Sequence, residues 1–159
     1  MTFATGSPAG IYYPFGGGLS NIWSTRLDDV NMKAEVTGAS LINVIQVARG
    51  ESEVGIAMAD VVTSAYQGKE QFPEPLPVRA LFAAYPNFVH IVALADRNIE
   101  SITDLAGQRV SLGAPGSGTA IAAEKILAGF GLPLDSLDAH YLNFSGTADA
   151  LKDLSLIHI

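Results

Sequence analysis

The chain has 159 residues, of which 48% are hydrophobic and 16% are charged, and its formal net charge is −7. This composition suffices for a globular core and is too apolar for a disordered chain, and its nine Lys and Arg against 16 Asp and Glu exclude an extended basic face for nucleic acid. The absence of cysteine excludes a disulfide framework, a thiolate zinc site and a cysteine nucleophile.

The first half of the chain alternates strand-like and helix-like segments. Residues 32–37 alternate polar and apolar side chains as a half-buried strand does, and Ser40 can cap a helix that Gly50 ends. Asp60 can cap a further helix, which Gly68 ends. Strands and helices are predicted in alternation, at residues 2–5, 14–27, 32–37, 40–49, 54–58 and 60–66.

A proline-rich loop and a second alternating series make up the rest of the chain. Three prolines mark residues 71–77 as a loop, and two strand-like runs follow at residues 78–84 and 88–95. Ser101 opens a capping box and a short helical turn. The later elements are predicted as a strand at 109–112, a glycine-rich loop at 113–118, a helix that Gly131 ends, a strand at 139–142 and a helix that starts after Ser145 or Gly146.

This order of elements predicts an α/β protein with parallel sheets flanked by helices. Strand–helix–strand alternation implies parallel strands joined by right-handed crossovers. The second series reads as a fresh start, which predicts two lobes: lobe 1 at residues 1–84, an interlobe crossing at 85–95 and lobe 2 at 96–153. The pattern stops with a helix barely begun, so we expect both lobes to be incomplete and the chain to be truncated.

Two loops rich in small residues each separate a strand from a helix. The sequence is Gly-Ser-Pro-Ala-Gly at residues 6–10 and Gly-Ala-Pro-Gly-Ser-Gly-Thr at residues 113–119. Small residues let a ligand approach the backbone, and the helix that follows offers N–H groups to an anion. Both loops are expected at the carboxyl ends of strands, where open α/β sheets bind ligands. Either loop alone could instead be only a tight turn.

The second loop does not match the glycine-rich motifs of nucleotide-binding or hydrolytic enzymes. A Walker loop needs Lys after its last glycine, and here Thr119 follows Gly118. A nucleophile elbow around Ser117 needs glycine where Pro115 stands, and the dinucleotide fingerprint needs glycine where Ile121 stands. Ser117 and Thr119 are therefore interpreted as hydrogen-bond donors to a ligand, and no cofactor is predicted.

Few other side chains indicate chemistry. His90, His140 and His158 lack partners at metal-ligand spacing, so no metal site is predicted. Asp60 could meet the ammonium group of a ligand or serve as a plain helix cap. Tyr13 could cover a ligand or pack in the core. The sequence contains no recognisable acid pair or catalytic triad, so no catalytic residue and no enzyme activity are predicted.

Four separated stretches resemble the TAXI family, the solute receptors of TRAP-type transporters. They are residues 4–17 (Ala-Thr-Gly-Ser-Pro-Ala-Gly-Ile-Tyr-Tyr-Pro-Phe-Gly-Gly), 36–44, 54–60 and 104–119. They agree with the family in order and spacing, and the likeness covers about residues 2–153. The resemblance implies a type II periplasmic binding protein of roughly 300 residues. In such a protein two lobes close over a small carboxylate or an amino acid such as glutamate.

The resemblance also implies a set of ligand contacts and partners. The positions that match the family's contacts in the two lobes are Ser7, Gly10, Tyr13 and Asp60, then Ser117, Gly118 and Thr119. The implied partners are a small-molecule solute and a TRAP-type membrane permease, with no nucleic acid. The implied location is periplasmic or extracellular, in association with that permease, although no signal peptide is visible at the start of the chain.

The last six residues depart from the family pattern. Residues 154–159 read Leu-Ser-Leu-Ile-His-Ile, which resembles translated sequencing-adaptor read-through. We therefore interpret them as a non-native tail that packs irregularly.

Other functions on the same fold stay open beside the TRAP receptor. A receptor for an ABC importer would use the same two lobes, and so would a ligand-sensing regulatory domain. A transferase would need a cofactor-attaching cysteine or a cluster of acids and bases, and neither is seen in the sequence.

Overall fold

The structure is a computed structural model that describes residues 1–153 together with residues 157 and 158. The chain divides into two compact units, Met1–Asn87 and Phe88–Ile159. The boundary falls inside the stretch 85–95 that the sequence assigns to the crossing, and the limits of the lobes themselves stay predictions. Among the described residues, no helix is long and apolar enough to cross a membrane.

The first unit is a three-stranded parallel sheet with its first strand in the middle. The spatial order of the strands is β2-β1-β3. Its elements in chain order are β1 (Thr2–Ala4), α1 (Tyr12–Arg26), β2 (Lys33–Glu35), α2 (Ser40–Arg49), β3 (Val54–Gly55) and α3 (Ala59–Gln67).

Helices α1 and α2 pack on opposite faces of this sheet. Phe3 pairs with Val54 and Ala4 pairs with Gly55, and successive side chains along a strand point to opposite faces. A Cβ placed on Gly16 of α1 would meet the side chains of Thr5 and Phe3, whereas one on Gly55 would meet Asn43 of α2. Each face of the sheet is therefore covered by a different helix.

One face of α1 contributes to the core of the first unit. Residues 12, 15, 16, 19, 20 and 23 lie on one helical face at the spacing expected for burial. The ring of Trp23 stacks on Phe3, with ring centroids 5.6 Å apart, and Phe3 is buried. Burial of a side chain such as Phe3 contributes roughly 1.5–3 kcal/mol to folding.

The second unit repeats the same strand order. Its parallel strands lie in the order β5-β4-β6, again with the first strand in the middle. Leu105, Val110, Leu112 and Leu127 form its fully buried core together with Ala123. The helices and strands are β4 (Arg109–Ser111), α4 (Gly118–Gly129), β5 (Asp138–His140), α5 (Phe144–Lys152) and β6 (Ile157–His158), with 3-10 turns at Ala95–Arg97, Ile102–Leu105 and Leu134–Ser136.

The predicted α/β class with parallel strands and flanking helices is confirmed, and the capping box at Ser101 is present.

Two predicted helix caps are wrong. Ala39 is the N-cap of α2, and the Ser40 hydroxyl instead accepts a hydrogen bond from the Met58 N–H at 3.1 Å. Met58 is the N-cap of α3, and Asp60 lies within its first turn, where a carboxylate interacts favourably with the helix dipole.

The two strands predicted at residues 78–84 and 88–95 do not form. In this described stretch the only ladder pairing is an isolated bridge at Val92. The side chains of Leu81, Phe82 and Phe88 are exposed. The predicted strands do not form because a strand-like pattern becomes a strand only where a neighbouring strand supplies the hydrogen bonds.

The predicted tail lies mostly outside the described residues. Residues 154–156 and 159 belong to that undescribed part, whereas Ile157 and His158 form β6, which pairs in parallel with Val110 and Ser111 of β4. The prediction of an irregular, non-native tail receives no support from this pairing.

Candidate functional site

Each glycine-rich loop follows the middle strand of its sheet. β1 leads through residues 5–11 into α1, and β4 leads through residues 112–117 into α4. In the first unit the chain moves from β1 to β2 on one side and then crosses to β3 on the other side. In the second unit it moves from β4 to β5 and then crosses to β6. Such a reversal opens a crevice at the carboxyl end of the middle strand, and ligands of open α/β sheets bind there.

The first loop is closed by hydrogen bonds to Ser7. The Gly10 N–H donates to the Ser7 carbonyl oxygen at 2.9 Å, and the Ala9 N–H donates to Ser7 Oγ at 3.3 Å. Ser7 and Gly10 are half-buried. The N-cap of α1 is Ile11, which has no side-chain acceptor, so the first N–H groups of α1 are not satisfied by a side-chain cap.

Tyr12, which the sequence analysis missed, is buried more deeply than its neighbour Tyr13. Tyr13 is 36% exposed on α1. Burial raises the pKa of Tyr12; the neighbouring side chains of Ser40 and Asn87 oppose this shift, and the charge of Asp60 adds a smaller upward contribution. Tyr12 therefore connects the loop after β1 with the beginnings of α2 and α3. The helical period could have revealed this, because Tyr12 shares a face with residues 15, 16 and 19.

Asp60 and Tyr85 complete the polar end of the first unit's crevice. Asp60 is exposed in the first turn of α3 and acts electrostatically on Tyr12. The Tyr85 ring meets Phe15 edge-on at 5.4 Å between centroids. The Tyr85 hydroxyl oxygen is enclosed and has no hydrogen-bond partner. Burial, followed by the neighbouring Tyr12, raises the pKa of Tyr85 to about 12.

An open groove extends from this polar end within the first unit. Its volume is about 900 Å³, and it runs along β3 beside residues 77–87. Its lining is mainly apolar and includes Phe3, Phe15, Trp23, Val54 and Phe82, with Tyr12 and Asp60 also on its wall.

The second loop holds its polar groups more tightly than predicted. Ser117, which the sequence analysis interprets as a hydrogen-bond donor to a ligand, is only 7% exposed and caps α4, where its Oγ accepts a hydrogen bond from the Ala120 N–H at 3.1 Å. Gly118 is buried and Thr119 is half-buried. The cap uses an oxygen lone pair, so the hydroxyl hydrogen of Ser117 is still able to donate to a ligand.

The seven predicted contact residues divide between the two units. Ser7, Gly10, Tyr13 and Asp60 lie around the carboxyl end of the first sheet, and Ser117, Gly118 and Thr119 lie at the carboxyl end of the second. Their roles as ligand contacts and the sharing of one cleft by the two loops stay predictions. Across residues 1–153 and 157–158, no group of three His, Asp or Glu side chains is placed to hold a metal ion.

The enclosed Tyr85 hydroxyl predicts a loss of stability at high pH. The ordinary pKa of tyrosine is 10.0 and that of Tyr85 is about 12. The unfolded chain therefore loses this proton first, and stability falls as pH rises from about 10 to 12.

We expect the urea midpoint of Tyr85→Phe to fall less than that of the parent over this range. At neutral pH the substitution removes a hydroxyl without a partner and should cost little. The same pH dependence in Tyr85→Phe and the parent would contradict the enclosed hydroxyl.

Comparison with known proteins identifies both a family and a shared fold. The model of the NMT1-like family matches residues 3–159. The solved structure of the alkanesulfonate-binding protein SsuA from Xanthomonas axonopodis pv. citri bound to MOPS is similar, with a TM-score of 0.61 and 11% identity. The alignment covers 99% of this chain and 53% of that one, so this chain spans about half the length of that relative. Neither comparison names the TAXI family, which stays a prediction.

Proposed function

We propose that this chain, which belongs to the NMT1-like family, is part of an extracytoplasmic receptor that captures a small solute and delivers it to a membrane permease. The observation that carries the proposal is the repeated strand order. Each unit places a loop of small residues at the point where the sheet reverses direction. Two such crevices on separable units are what closure over a solute requires.

An ABC importer is the permease class that the comparisons favour. The chain shares its fold with an alkanesulfonate-binding protein, and its family match is to the NMT1-like family. The second candidate is a TRAP-type permease, which the four TAXI-like stretches of the sequence favour. The two candidates differ in their energy source, and reconstituted uptake would therefore separate them. Uptake driven by ATP hydrolysis supports the ABC importer, and uptake driven by an ion gradient supports the TRAP permease.

The proposed solute carries an anionic head, either a carboxylate or a sulfonate. The similar structure contains MOPS, which is a sulfonate, and the loops of this chain offer N–H and hydroxyl donors that suit either anion. Asp60 lies beside Tyr12 at the same end of the first sheet, and its carboxylate favours a solute that also carries an ammonium group. Because these groups donate and accept hydrogen bonds without forming an evident nucleophile and base pair, we propose binding without chemical conversion.

Calorimetry with matched pairs of solutes tests this proposal. The pairs are L-glutamate with glutarate, and 2-aminoethanesulfonate with ethanesulfonate, with MOPS as a further probe. We expect at least one anion to bind, and the ammonium-bearing member of its pair to bind more tightly. Asp60→Asn should remove that difference. Failure of every probe to bind, or conversion of a bound probe to a product, would contradict the receptor function.

Loop variants locate the site. Ser7→Ala and Thr119→Ala each remove one hydroxyl donor, and a hydrogen bond to a charged group is worth about 1.5–3 kcal/mol. The expected loss of affinity is therefore about 10- to 150-fold. Thr25→Ala is the matched control, because its exposed hydroxyl donates to the Asn21 carbonyl oxygen within α1 at 2.9 Å. Equal affinity of parent and loop variants would remove Ser7 and Thr119 from the site.

A further inference from the structure

A fully buried amide connects the strands on the two sides of the first unit's crevice. Asn43 lies in the first half of α2 and has no exposed surface. Its Nδ2 donates to the Thr5 carbonyl oxygen at 2.6 Å and to the Ile56 carbonyl oxygen at 2.7 Å. Thr5 directly follows β1 and Ile56 directly follows β3. Both N–H bonds of one amide are therefore used to hold the carboxyl ends of two neighbouring strands.

These two strands are the ones between which the crevice opens. The loop after β1 leads to α1 on one face, and the loop after β3 leads to α3, which packs with α2 on the other face. Adjacent strands whose loops leave toward opposite faces define the ligand crevice of an open α/β sheet. Asn43 therefore bridges Thr5 and Ile56 at the base of the crevice, beyond the last ladder hydrogen bond from the Ile56 N–H to the Ala4 carbonyl oxygen.

The same amide also controls the loop after β2. The Thr37 hydroxyl donates to Asn43 Oδ1 at 2.5 Å, and Thr37 Oγ1 accepts from the Ala39 N–H at 3.0 Å. Ala39 has φ 69° and ψ −142°, a conformation that residues other than glycine adopt only when their surroundings enforce it. Its carbonyl oxygen accepts from the Asn43 N–H at 2.9 Å. Ser40 directly follows Ala39, and its side chain lies beside Tyr12.

The second unit has a corresponding buried link. Thr147 is the fourth residue of α5, as Asn43 is the fourth residue of α2. Its Oγ1 lies 2.7 Å from Ser111 Oγ at the end of the middle strand β4, and both side chains are buried. Each unit therefore joins the fourth residue of its second helix to the carboxyl end of its middle strand.

We propose that Asn43 is a positioning residue for solute binding, which acts by holding the loops after β1, β2 and β3 in one arrangement. This role rests on the proposed receptor function. Replacement by Leu keeps the approximate volume of the side chain but leaves the Thr5 and Ile56 carbonyl oxygens without their buried donor. The three loops should then open locally more often, because their common hydrogen-bonded anchor is lost.

Amide hydrogen exchange on the full chain tests the role without any ligand. In Asn43→Leu we expect exchange at least tenfold faster in residues 5–11, 37–41 and 56–60 than elsewhere in the first unit. Thr37→Val removes the bonds of Thr37 to Asn43, to the Ala39 N–H and to the Thr5 carbonyl oxygen, and it leaves the bond from Asn43 to Ile56 in place. It should therefore accelerate exchange in residues 37–41 and leave residues 56–60 unchanged. Val44→Ala is the control for a general loss of stability, since Val44 is buried in the same helix.

The pattern of exchange decides the outcome. Acceleration of all three loops in Asn43→Leu, and exchange of residues 56–60 at the parental rate in Thr37→Val, support the role. A uniform increase like that of Val44→Ala would overturn it and leave Asn43 as an ordinary core residue. If Asn43→Leu fails to fold, Thr37→Val alone decides, because acceleration of all three loops or of none would contradict the proposed links. Binding of a solute is not measured, so the failure of this role is distinct from the failure of the receptor function.

Discussion

Replacement of Gly113 by Ala is expected to destabilise the second unit by about 2–6 kcal/mol. Gly113 begins the second loop with φ +101°, where a residue with a Cβ is strained by roughly 1–3 kcal/mol. The new Cβ would also lie 2.9 Å from both Cβ and Cγ2 of Thr119 and 3.2 Å from the Ala120 backbone nitrogen. Such overpacking adds roughly 1–3 kcal/mol. Hydrogen exchange of the β4 and α4 amides measures the loss within the unit concerned.

Gly131→Ala is the matched control for Gly113→Ala. Gly131 also has a positive φ, +72°, but a Cβ there would meet no atom within 4 Å. Its substitution should therefore cost only the backbone strain, about 1–2 kcal/mol. Equal losses in the two variants would show that Thr119 does not pack against Gly113. The Gly113 variant should also lose solute affinity, because the Cβ displaces the beginning of α4.

Replacement of Gly16 by Ala should destabilise the first unit by about 1–3 kcal/mol, although Ala favours helices. A Cβ on Gly16 would lie 2.5 Å from Thr5 Cγ2. Thr5 cannot rotate away at low cost, because it is fully buried and its hydroxyl donates to the Glu35 carbonyl oxygen. Urea unfolding followed by Trp23 fluorescence measures the change, since Trp23 is the one tryptophan of the sequence and stacks on Phe3.

Two further variants isolate the contact between Gly16 and Thr5. Gly18→Ala lies in the same helix with no atom within 4 Å of its new Cβ, so it should stabilise by about 0.5–1 kcal/mol. Thr5→Ser removes the Cγ2 methyl and keeps the hydroxyl, so it should relieve most of the loss in the double variant with Gly16→Ala. The absence of relief would mean that the helix, and not Thr5, resists the added methyl group.

The alternation of elements was predictable from the sequence because each element has a local signal. Glycine ends α2 and α3 in the left-handed conformation, at Gly50 and Gly68, as the sequence indicates. The strand runs at 78–84 and 88–95 failed because their signal is also local, whereas strand formation depends on a partner elsewhere in the chain. The helix caps predicted at Ser40 and Asp60 lie one and two residues after the observed N-caps. Ser40 does not cap its own helix, because its hydroxyl is bonded to Met58.

The candidate site was predictable in its loops but not in the groups that hold them. Small residues between a strand and a helix are visible in the sequence, so residues 6–10 and 113–119 could be identified. Asn43 and Tyr12 carry no motif, and their importance depends on contacts with residues up to 75 positions away, as for Tyr12 and Asn87. An Asn at the fourth position of a helix is ordinarily an exposed polar residue, and only the packed sheet shows that it is buried.

The position of β1 in the middle of its sheet has a consequence for synthesis on the ribosome. Phe3 pairs with Ala34 and Val54, so the strand made first needs two partners made later. At about 5–20 residues per second, the roughly 50 residues between Phe3 and Val54 take several seconds to appear. Until Ala34 is made neither edge of this strand can be covered, and one edge stays open until Val54 is made. This delay exposes Phe3 and Ala4 to chaperones that bind extended apolar segments.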